Sequence, residues 1–303
     1  MFSGSAGAAR LSIIVVVSLI IIKVIVGIIT GSLSILAQAV DSFLDLFAVT
    51  ITFLAIRVAA KPADQEHPFG HGKAENIAAI VQAVLILAAG GSIVYTAIRR
   101  AYSTDTFLSS TEDGIAVMAV SIIASVLLSR HLHRVAKKED STALLANARN
   151  IAADVYSASA VLVGLIIARV TRIEMIDDIL AVIVALFIFK VGFDVLRNSF
   201  GGLVDVKLPE EEENAIKAAI TEHFGNEVVN FHKLRTRKAG SQRYIDLHLV
   251  MPRHITLEES HSMTDHLEKD IQNRLVRTDV IIHVEPCDAN CPMCQMTCEE
   301  RKS

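Results

Sequence analysis

Tryptophan is absent from the sequence, tyrosine and cysteine occur four times each, and only 20% of the 303 residues are charged. All four cysteines lie at position 287 or later, so they cannot cross-link a folded core, which excludes a disulfide-stapled secreted module. The formal net charge of −4 gives no electrostatic reason to expect nucleic acid as a partner. Soluble domains contain about 25% charged and about 45–50% apolar residues. Because this chain is 52% apolar, its composition favours a protein of the lipid bilayer.

Six long apolar segments before position 202 predict transmembrane helices. A helix needs about 20 mainly apolar residues to cross a hydrocarbon core about 30 Å thick. The first segment is too long for the core of a signal peptide and no small-residue cleavage site follows it, so we expect it to remain as a membrane helix. The six expected spans are Leu11–Thr30, Ile35–Ile56, Ile77–Ile98, Ile115–Leu128, Ala143–Val170 and Ile176–Val195.

Basic residues in the short connections predict how these helices are oriented, because lysine and arginine favour cytoplasmic loops. An even number of helices places both termini on the same side of the membrane. That side carries Arg10, Arg57, Lys61, Lys73, Arg130, Arg134, Lys137, Lys138 and Arg149, whereas the other carries Arg99, Arg100, Arg169 and Arg172. We therefore expect an integral protein of an inner or plasma membrane, with both termini in the cytoplasm.

Beyond the last apolar segment the composition is that of a soluble protein and predicts a small α+β domain. Pro209 followed by four glutamates is typical of a helix start. Thr256 and Glu259 form a capping-box pattern for a second helix. The expected elements are a helix from Pro209 to Phe224, strands Val228–Arg237 and Arg243–Met251, a helix from Thr256 to Leu275 and strand Asp279–Glu285. This order predicts three strands covered on one face by two helices.

Two carboxylates lie inside the second apolar segment. Asp41 and Asp45 are four residues apart and therefore share one helix face. An ionised aspartate at the bilayer centre costs at least about 2.5–3.5 kcal/mol, and two together cost more unless a cation or protons neutralise them. The fifth segment holds Asn150 and Asp154 at the same spacing, so facing helices would form an oxygen-rich cation site. Lys23 in the first segment offers the alternative of a basic neighbour that neutralises the acids.

The connection between the second and third segments is rich in metal-ligand side chains. Asp64, His67 and His71 lie among a proline and two glycines that prevent a regular helix, so the three side chains could fold around one ion. Imidazole and carboxylate suit zinc and its first-row neighbours. The alternative is a polar loop whose histidines only cap the next helix.

The soluble part contains histidines in several predicted elements. His283 and Glu285 share one face of the last strand, whereas His232, His248 and His261 lie elsewhere in the sequence, so spacing alone does not bring them together.

A group of cysteines ends the chain: Cys287, Cys291, Cys294 and Cys298. In reducing cytoplasm such a cluster favours metal binding over disulfides. Four thiolates suit a tetrahedral zinc site, and the alternatives are an iron–sulfur cluster or a frayed, metal-free tail.

The Asp41-x3-Asp45 pair, the loop from Asp64 to Lys73 and the tail together resemble the cation diffusion facilitator family over nearly the whole chain. The resemblance implies a six-helix membrane domain (1–205), a cytoplasmic ferredoxin-like metal-binding domain (206–286) and a cysteine-rich tail (287–303). It also implies a homodimer whose cytoplasmic domains pair through bound metal. By position it assigns a transport site (Asp41, Asp45, Asn150, Asp154), a loop site (Asp64, His67, His71), a cytoplasmic dinuclear site (His232, His248, His261, His283, Glu285) and an interdomain charge pair (Lys73, Asp205).

Asn150 stands where the zinc-transporting branch of that family commonly has histidine. An amide oxygen is a harder and weaker ligand than imidazole, which shifts preference from zinc towards manganese or ferrous iron. Zinc, iron and manganese therefore all stay candidate substrates, and one of them would also be the structural or regulatory ion of the cytoplasmic domain. Asparagine takes up no proton, so proton coupling would fall to the carboxylates.

These features predict a proton-coupled antiporter that exports divalent transition metals from the cytoplasm. The alternative is a metal-responsive membrane scaffold or sensor that binds metal without transporting it. A passive channel is less favoured because carboxylates enclosed at one depth favour binding and release over continuous conduction. An enzyme is not expected, since the sequence offers no nucleophile–base set and no phosphate-cradling glycine loop.

Overall fold

The computed structural model describes residues 4–30, 33–102, 112–171, 175–224, 228–253 and 255–288. The chain divides into two compact units, Met1–Gly201 and Gly202–Ser303. Each unit has its own apolar core.

Within the described ranges, the first unit consists of long helices, and each of the six predicted apolar segments lies inside one of them. Their bounds are α1 (Ser5–Thr30), α2 (Leu33–Ala59), α3 (Lys73–Tyr102), α4 (Glu112–Glu139), α5 (Thr142–Thr171) and α6 (Met175–Leu203). Among the described residues, three stretches are long and apolar enough to cross a membrane: Ser5–Val26, Ser42–Ala59 and Lys73–Thr96. Membrane crossing by α4, α5 and α6 stays a prediction.

Small residues at the helix contacts let the helices approach closely. Ala79 and Ala83 of α3 are completely buried against Ala146 and Ala153 of α5 and against Ile188 of α6. In a bilayer, helix association depends on such close packing because lipid is as apolar as the side chains. α2 packs against both α3 and α5.

Buried polar side chains also tie these helices together, and the sequence patterns did not predict them. Gln82 Nε2 of α3 donates to the Ala48 carbonyl of α2 at 2.7 Å and to Thr52 Oγ1 at 2.9 Å. Glu75 of α3 is 4% exposed. Its carboxylate accepts a hydrogen bond at 2.6 Å from Ser141 Oγ, and Ser141 directly precedes α5. A carboxylate at a helix N-terminus is favoured by the helix dipole.

Gly192 of α6 lies against side chains of α3, and its replacement by alanine should destabilise the first unit. A Cβ atom there would lie 2.9 Å from Leu87 Cδ2 and 3.1 Å from Ile86 Cγ2. Overpacking of this kind costs about 1–3 kcal/mol, so we expect a lower melting temperature for the detergent-solubilised Gly192→Ala variant, measured by size-exclusion chromatography after heating. Gly91→Ala is the matched control, because a Cβ atom there meets nothing within 4 Å. Equal melting temperatures for the two variants would contradict the predicted close contact.

The second unit has the predicted order of helix, hairpin, helix and strand. Its elements are α7 (Glu210–Thr221), β1 (Asn230–Ala239), β2 (Gln242–Met251), α8 (Leu257–Arg274) and β3 (Thr278–Pro286). The sheet order is β1-β2-β3, with β1 antiparallel and β3 parallel to β2. The parallel pair follows from the connection through α8, because parallel neighbours need a crossover. The order matches the last five elements of a ferredoxin-like βαββαβ unit.

Alternation along β2 separates an apolar face from a polar one, as the sequence predicted. Ile245, Leu247, Leu249 and Met251 are all buried and pack against apolar side chains from both α7 and α8. Both helices therefore cover the same face of the sheet, and His248 lies on the other face. The capping box at the start of α8 is also confirmed. α7 ends at Thr221, three residues before the predicted end, within the usual uncertainty of helix boundaries.

The glutamates at the start of α7 interact favourably with the helix dipole and also accept hydrogen bonds from side chains outside the helix. Arg243 of β2 donates to both carboxylate oxygens of Glu212, at 2.7 and 2.9 Å. Glu213 accepts hydrogen bonds from Thr236 Oγ1 at 3.0 Å and from Lys207 Nζ at 3.2 Å. Burial by itself would raise the pKa of Glu213, but these hydrogen bonds and nearby lysines outweigh it, and the pKa is lowered. The carboxylates thus join α7 to the sheet.

Candidate metal centres

Three histidines form a row across the sheet of the second unit. His232 of β1 is directly opposite His248 of β2, which in turn is paired with His283 of β3. The ring centroids are 5.3 Å apart in the first pair and 4.7 Å apart in the second. The row lies on the face that α7 and α8 leave uncovered. We call these three histidines, with Glu285, the histidine row.

Glu285 lies two residues after His283 and joins the row through its carboxylate. Its Oε1 lies 2.6 Å from His248 Nδ1, and its Oε2 lies 3.1 Å from His232 Nε2. His283 Nε2 is 3.8 Å from Oε1. One donor atom from each of His232, His248 and Glu285 lies within 4.8 Å of the others. These residues are therefore arranged so that they could hold one metal ion.

The electrostatics of the histidine row favour an ionised Glu285. The hydrogen bond from His248 lowers the pKa of Glu285 most strongly, and the neighbouring His232 and Lys233 add to this effect. A carboxylate must be deprotonated to bind a metal, so Glu285 is held in the form that a metal ligand requires.

His261, which the resemblance assigns to the same site, lies on α8. Its side chain is 75% exposed, and its Nδ1 lies 3.4 Å from Asp265 Oδ1. Its membership of the cytoplasmic site stays a prediction.

The loop between α2 and α3 brings Asp64, His67 and His71 together, and metal binding by them stays a prediction. Asp64 Oδ1 accepts the backbone N–H of His67 at 2.7 Å and lies 3.2 Å from its Nδ1. Asp64 Oδ2 lies 3.4 Å from His71 Nε2, and the two imidazole centroids are 4.4 Å apart. Gly70 turns the chain with a φ of 74°, a conformation that favours glycine. The donor atoms again lie within 4.8 Å of one another.

The surroundings of Asp64 in this loop favour its ionised form. The backbone hydrogen bond from His67 is the main cause of the lowered pKa of Asp64, and the two imidazoles lower it further. Among the described residues, His71 Nδ1 is buried without a hydrogen-bond partner. The arrangement is more specific than a set of helix caps, because one carboxylate contacts both imidazoles.

The predicted transport residues lie on two helices that pack against each other, α2 and α5. Asn150 is buried, with 6% of its surface exposed, and Asp45 and Asp154 are half-buried. The Asp41 side chain lies outside the described part of the structure. Lys23 Nζ of α1 donates to Ser42 Oγ of α2 at 2.8 Å, so the basic residue considered above does lie close to this part of α2.

The remaining predicted residues have mixed outcomes. Asp205 Oδ1 accepts a hydrogen bond from Arg237 at 3.4 Å within the second unit, and its pairing with Lys73 stays a prediction. Cys287 is buried, and its role as a metal ligand stays a prediction. Cys291, Cys294 and Cys298 lie outside the described residues.

A further group of possible ligands was not predicted: His223, His266 and Asp270. The sequence did carry a signal for it, because His266 and Asp270 are four residues apart on a predicted helix. The residue that completes the group, His223, comes from another element, and only the packing of α7 on α8 places it nearby.

Two family profiles together match most of the chain. The family profile of the cation efflux transmembrane domain matches residues 9–204, and that of the cytoplasmic domain of cation efflux proteins matches residues 208–287. The cation-efflux pump FieF of Serratia proteamaculans is 33% identical over 269 residues, which cover 89% of this chain and 88% of that protein. FieF of Shewanella oneidensis is 32% identical over 279 residues, which cover 92% of this chain and 93% of that protein.

Two solved structures are similar over about a quarter of the chain. The Zn form of the transporter CzrB is 34% identical, covers 27% of this chain and 92% of its own, and gives a TM-score of 0.26. The metal-bound C-terminal domain of the CzcD transporter from Thermotoga maritima is 26% identical, covers 25% and 87%, and gives a TM-score of 0.24. TM-scores this low establish no common overall fold.

Long apolar helices followed by a small α+β unit, with histidine–carboxylate clusters in both, are features expected of a membrane protein that binds metal cations. The two profiles together span most of the chain, and the FieF relatives match nearly all of it. The chain belongs to the cation diffusion facilitator family of integral membrane cation-efflux proteins, which confirms the resemblance seen in the sequence.

Proposed function

We propose that the chain is a proton-coupled antiporter that exports Fe²⁺, Mn²⁺ or Zn²⁺ from the cytoplasm. The observation that carries the proposal is the packing of α2 on α5, because these helices hold Asp45, Asn150 and Asp154. Asp41 lies one turn before Asp45 in α2. A divalent cation among these oxygens would neutralise carboxylates that are otherwise unfavourable in lipid.

The proposed coupling follows from the charge that must cross the membrane. Each elementary charge moved against 100 mV costs about 2.3 kcal/mol, so exporting a divalent ion alone is costly. Protons that return on Asp41, Asp45 or Asp154 offset part or all of this cost. Metal and protons compete for the same carboxylate oxygens, so the binding of one releases the other.

The proposed role of the second unit is to sense cytoplasmic metal. The histidine row lies on the open face of its sheet, where an ion could draw two copies of the chain together and favour the transporting state. This role requires residues 206–286 to lie in the cytoplasm, as the distribution of basic residues around residues 1–205 predicts. The FieF relatives are themselves named as cation-efflux pumps, which supports export as the direction.

Reconstitution into liposomes tests the proposed coupling. We expect an acidic lumen to drive uptake of Fe²⁺, Mn²⁺ or Zn²⁺, reported by a trapped metal-sensitive dye, while a trapped pH dye records protons leaving. Dissipating the pH gradient with a proton–potassium exchanger should stop concentrative uptake. Uptake that continues unchanged without the gradient would contradict antiport and favour a channel.

The alternative, a scaffold that binds metal without moving it, is favoured by one observation. The loop cluster and the histidine row both lie outside the long helices, so metal could bind at either without any transport. The same liposomes separate the two functions, since a scaffold would bind metal and show no flux under any gradient.

A further inference from the structure

A third group of metal-ligand side chains lies where the end of α7 meets the middle of α8. His223 follows α7, whereas His266 and Asp270 are four residues apart on α8 and share one helix face. His223 Nε2 lies 3.1 Å from Asp270 Oδ2, and the imidazoles of His223 and His266 meet edge to face with centroids 5.2 Å apart. One donor atom from each of the three lies within 4.8 Å of the others.

The surrounding core holds the two helices in this relation. Ile216 and Ile220 of α7 and Leu267 and Ile271 of α8 are completely or almost completely buried in the same apolar cluster. Leu267 directly follows His266 in the chain. The ligands are therefore carried by backbone segments whose separation is fixed by packing, and only side-chain rotations are needed to bring the donors closer.

Arg274 lies near Asp270 and interacts with it electrostatically, but its hydrogen bonds go to another carboxylate. Glu222, next to His223, is engaged by Arg274, whose two terminal nitrogens donate to its carboxylate at 3.1 and 2.5 Å. His223 and Asp270 are largely buried, with 21% and 29% of their side chains exposed, whereas His266 is exposed. The group is thus closed on the protein side and open to solvent at His266, where an ion could enter.

We propose that His223, His266 and Asp270 bind one first-row divalent cation of the zinc type, with water as the fourth ligand. Two imidazoles and a carboxylate are an established ligand set for zinc, with bonds of about 2.0–2.2 Å. Ligands of a tetrahedral ion with such bonds lie about 3.3 Å apart, close to the distance between His223 Nε2 and Asp270 Oδ2. The donor atom of His266 lies within 4.8 Å of the other two, and rotation of this exposed side chain would bring it to bonding distance.

This site is separate from the histidine row and the loop cluster. It shares no residue with either and does not depend on the proposed antiport. A bound ion would connect the end of α7 to α8 and so strengthen a contact inside the second unit.

Metal counting on the full-length protein in detergent tests the proposal. The background variant Asp64→Asn/Glu285→Gln weakens the loop cluster and the histidine row. After equilibration with Zn²⁺ and removal of free metal, we expect the background protein to retain more zinc than the same protein with His266→Gln added. The expected difference is one zinc ion per chain. With Co²⁺ in place of Zn²⁺, the same substitution should remove the visible absorption of one tetrahedral cobalt.

Asp265→Asn is the matched control, because Asp265 lies on the same helix outside the group and undergoes the same chemical change as Asp270→Asn. We expect Asp265→Asn to retain the ion and Asp270→Asn to lose it. His266 is exposed, so His266→Gln should leave the metal-free melting temperature unchanged. Equal zinc content with and without His266→Gln would overturn the proposal, as would loss of the ion in Asp265→Asn to the same extent as in Asp270→Asn.

Discussion

Replacing Asp154 with asparagine should reduce metal flux by about 100-fold or more. Loss of an outer-shell partner of a metal ligand already costs 10–100-fold, and Asp154 is proposed as a direct ligand. Asparagine keeps the shape of the side chain but offers only a neutral amide oxygen and accepts no proton, so it weakens the metal ligand and removes the proton carrier. Initial rates of metal uptake into acid-loaded liposomes, normalised to the amount of reconstituted protein, measure the effect.

The control for this experiment is Asp194, an aspartate of the first unit that lies on α6 and not on α2 or α5. Asp194 of α6 lines a cavity that also contains Arg130 and Lys190, and it is not a predicted transport ligand. Asp194→Asn should retain most of the flux, while both variants should elute from size-exclusion chromatography as the wild type does. If the Asp154→Asn variant transports metal as fast as the wild type, Asp154 of α5 is not a ligand in the transport site.

Replacing Asn150 with histidine should shift metal preference towards zinc, by on the order of tenfold relative to manganese. Imidazole nitrogen binds zinc more strongly than an amide oxygen does, whereas manganese prefers oxygen. Asn150 is buried on the helix that packs against α2, so the new imidazole would lie close to the carboxylates. The measurement compares initial uptake rates of Zn²⁺, Fe²⁺ and Mn²⁺ by wild type and variant.

Asn150→Gln separates the effect of the ligand atom from that of side-chain size. Glutamine enlarges the side chain but keeps the amide oxygen, so it should not raise the rate for zinc relative to manganese. If Asn150→His and Asn150→Gln alter the rates for all three metals in the same proportion, residue 150 is not a ligand.

The helices and the hairpin could be predicted because their signals are local. Apolar runs of membrane length and the alternation along β2 are visible within one stretch of chain. The carboxylate pair on α2 and the amide–carboxylate pair on α5 were also visible, since an aspartate in an apolar run is conspicuous. The loop cluster could be predicted from the turn-forming residues that surround its ligands.

The family resemblance assigned the residues of the histidine row to one site, but residue spacing alone could not bring them together, because their meeting depends on register. His232 meets His248 only because the hairpin turns through Gly240 and Ser241 and because the pairing shifts by a bulge between His232 and Arg235. One residue of slip would move His232 to the other face of the sheet.

The polar contacts between helices were missed for a related reason. Gln82 and Glu75 find partners on other helices, far away in sequence, and no local pattern reports such a contact. The group around His223 is the same kind of case, because the packing of two helices creates it. Helix ends and polar residues within apolar segments are therefore the positions where sequence analysis alone is least informative.

In the proposed transport site, Lys23 would affect discrimination among ions. Its ammonium group donates to Ser42, which lies between Asp41 and Asp45 in the sequence. With Asp41, Asp45 and Asp154 ionised, a fixed lysine charge leaves two negative charges to be balanced. A divalent ion restores electroneutrality, whereas sodium or potassium leaves one negative charge uncompensated in a medium of low dielectric constant. Lysine on α1 would thus help to reject the abundant monovalent cations of the cell by charge alone.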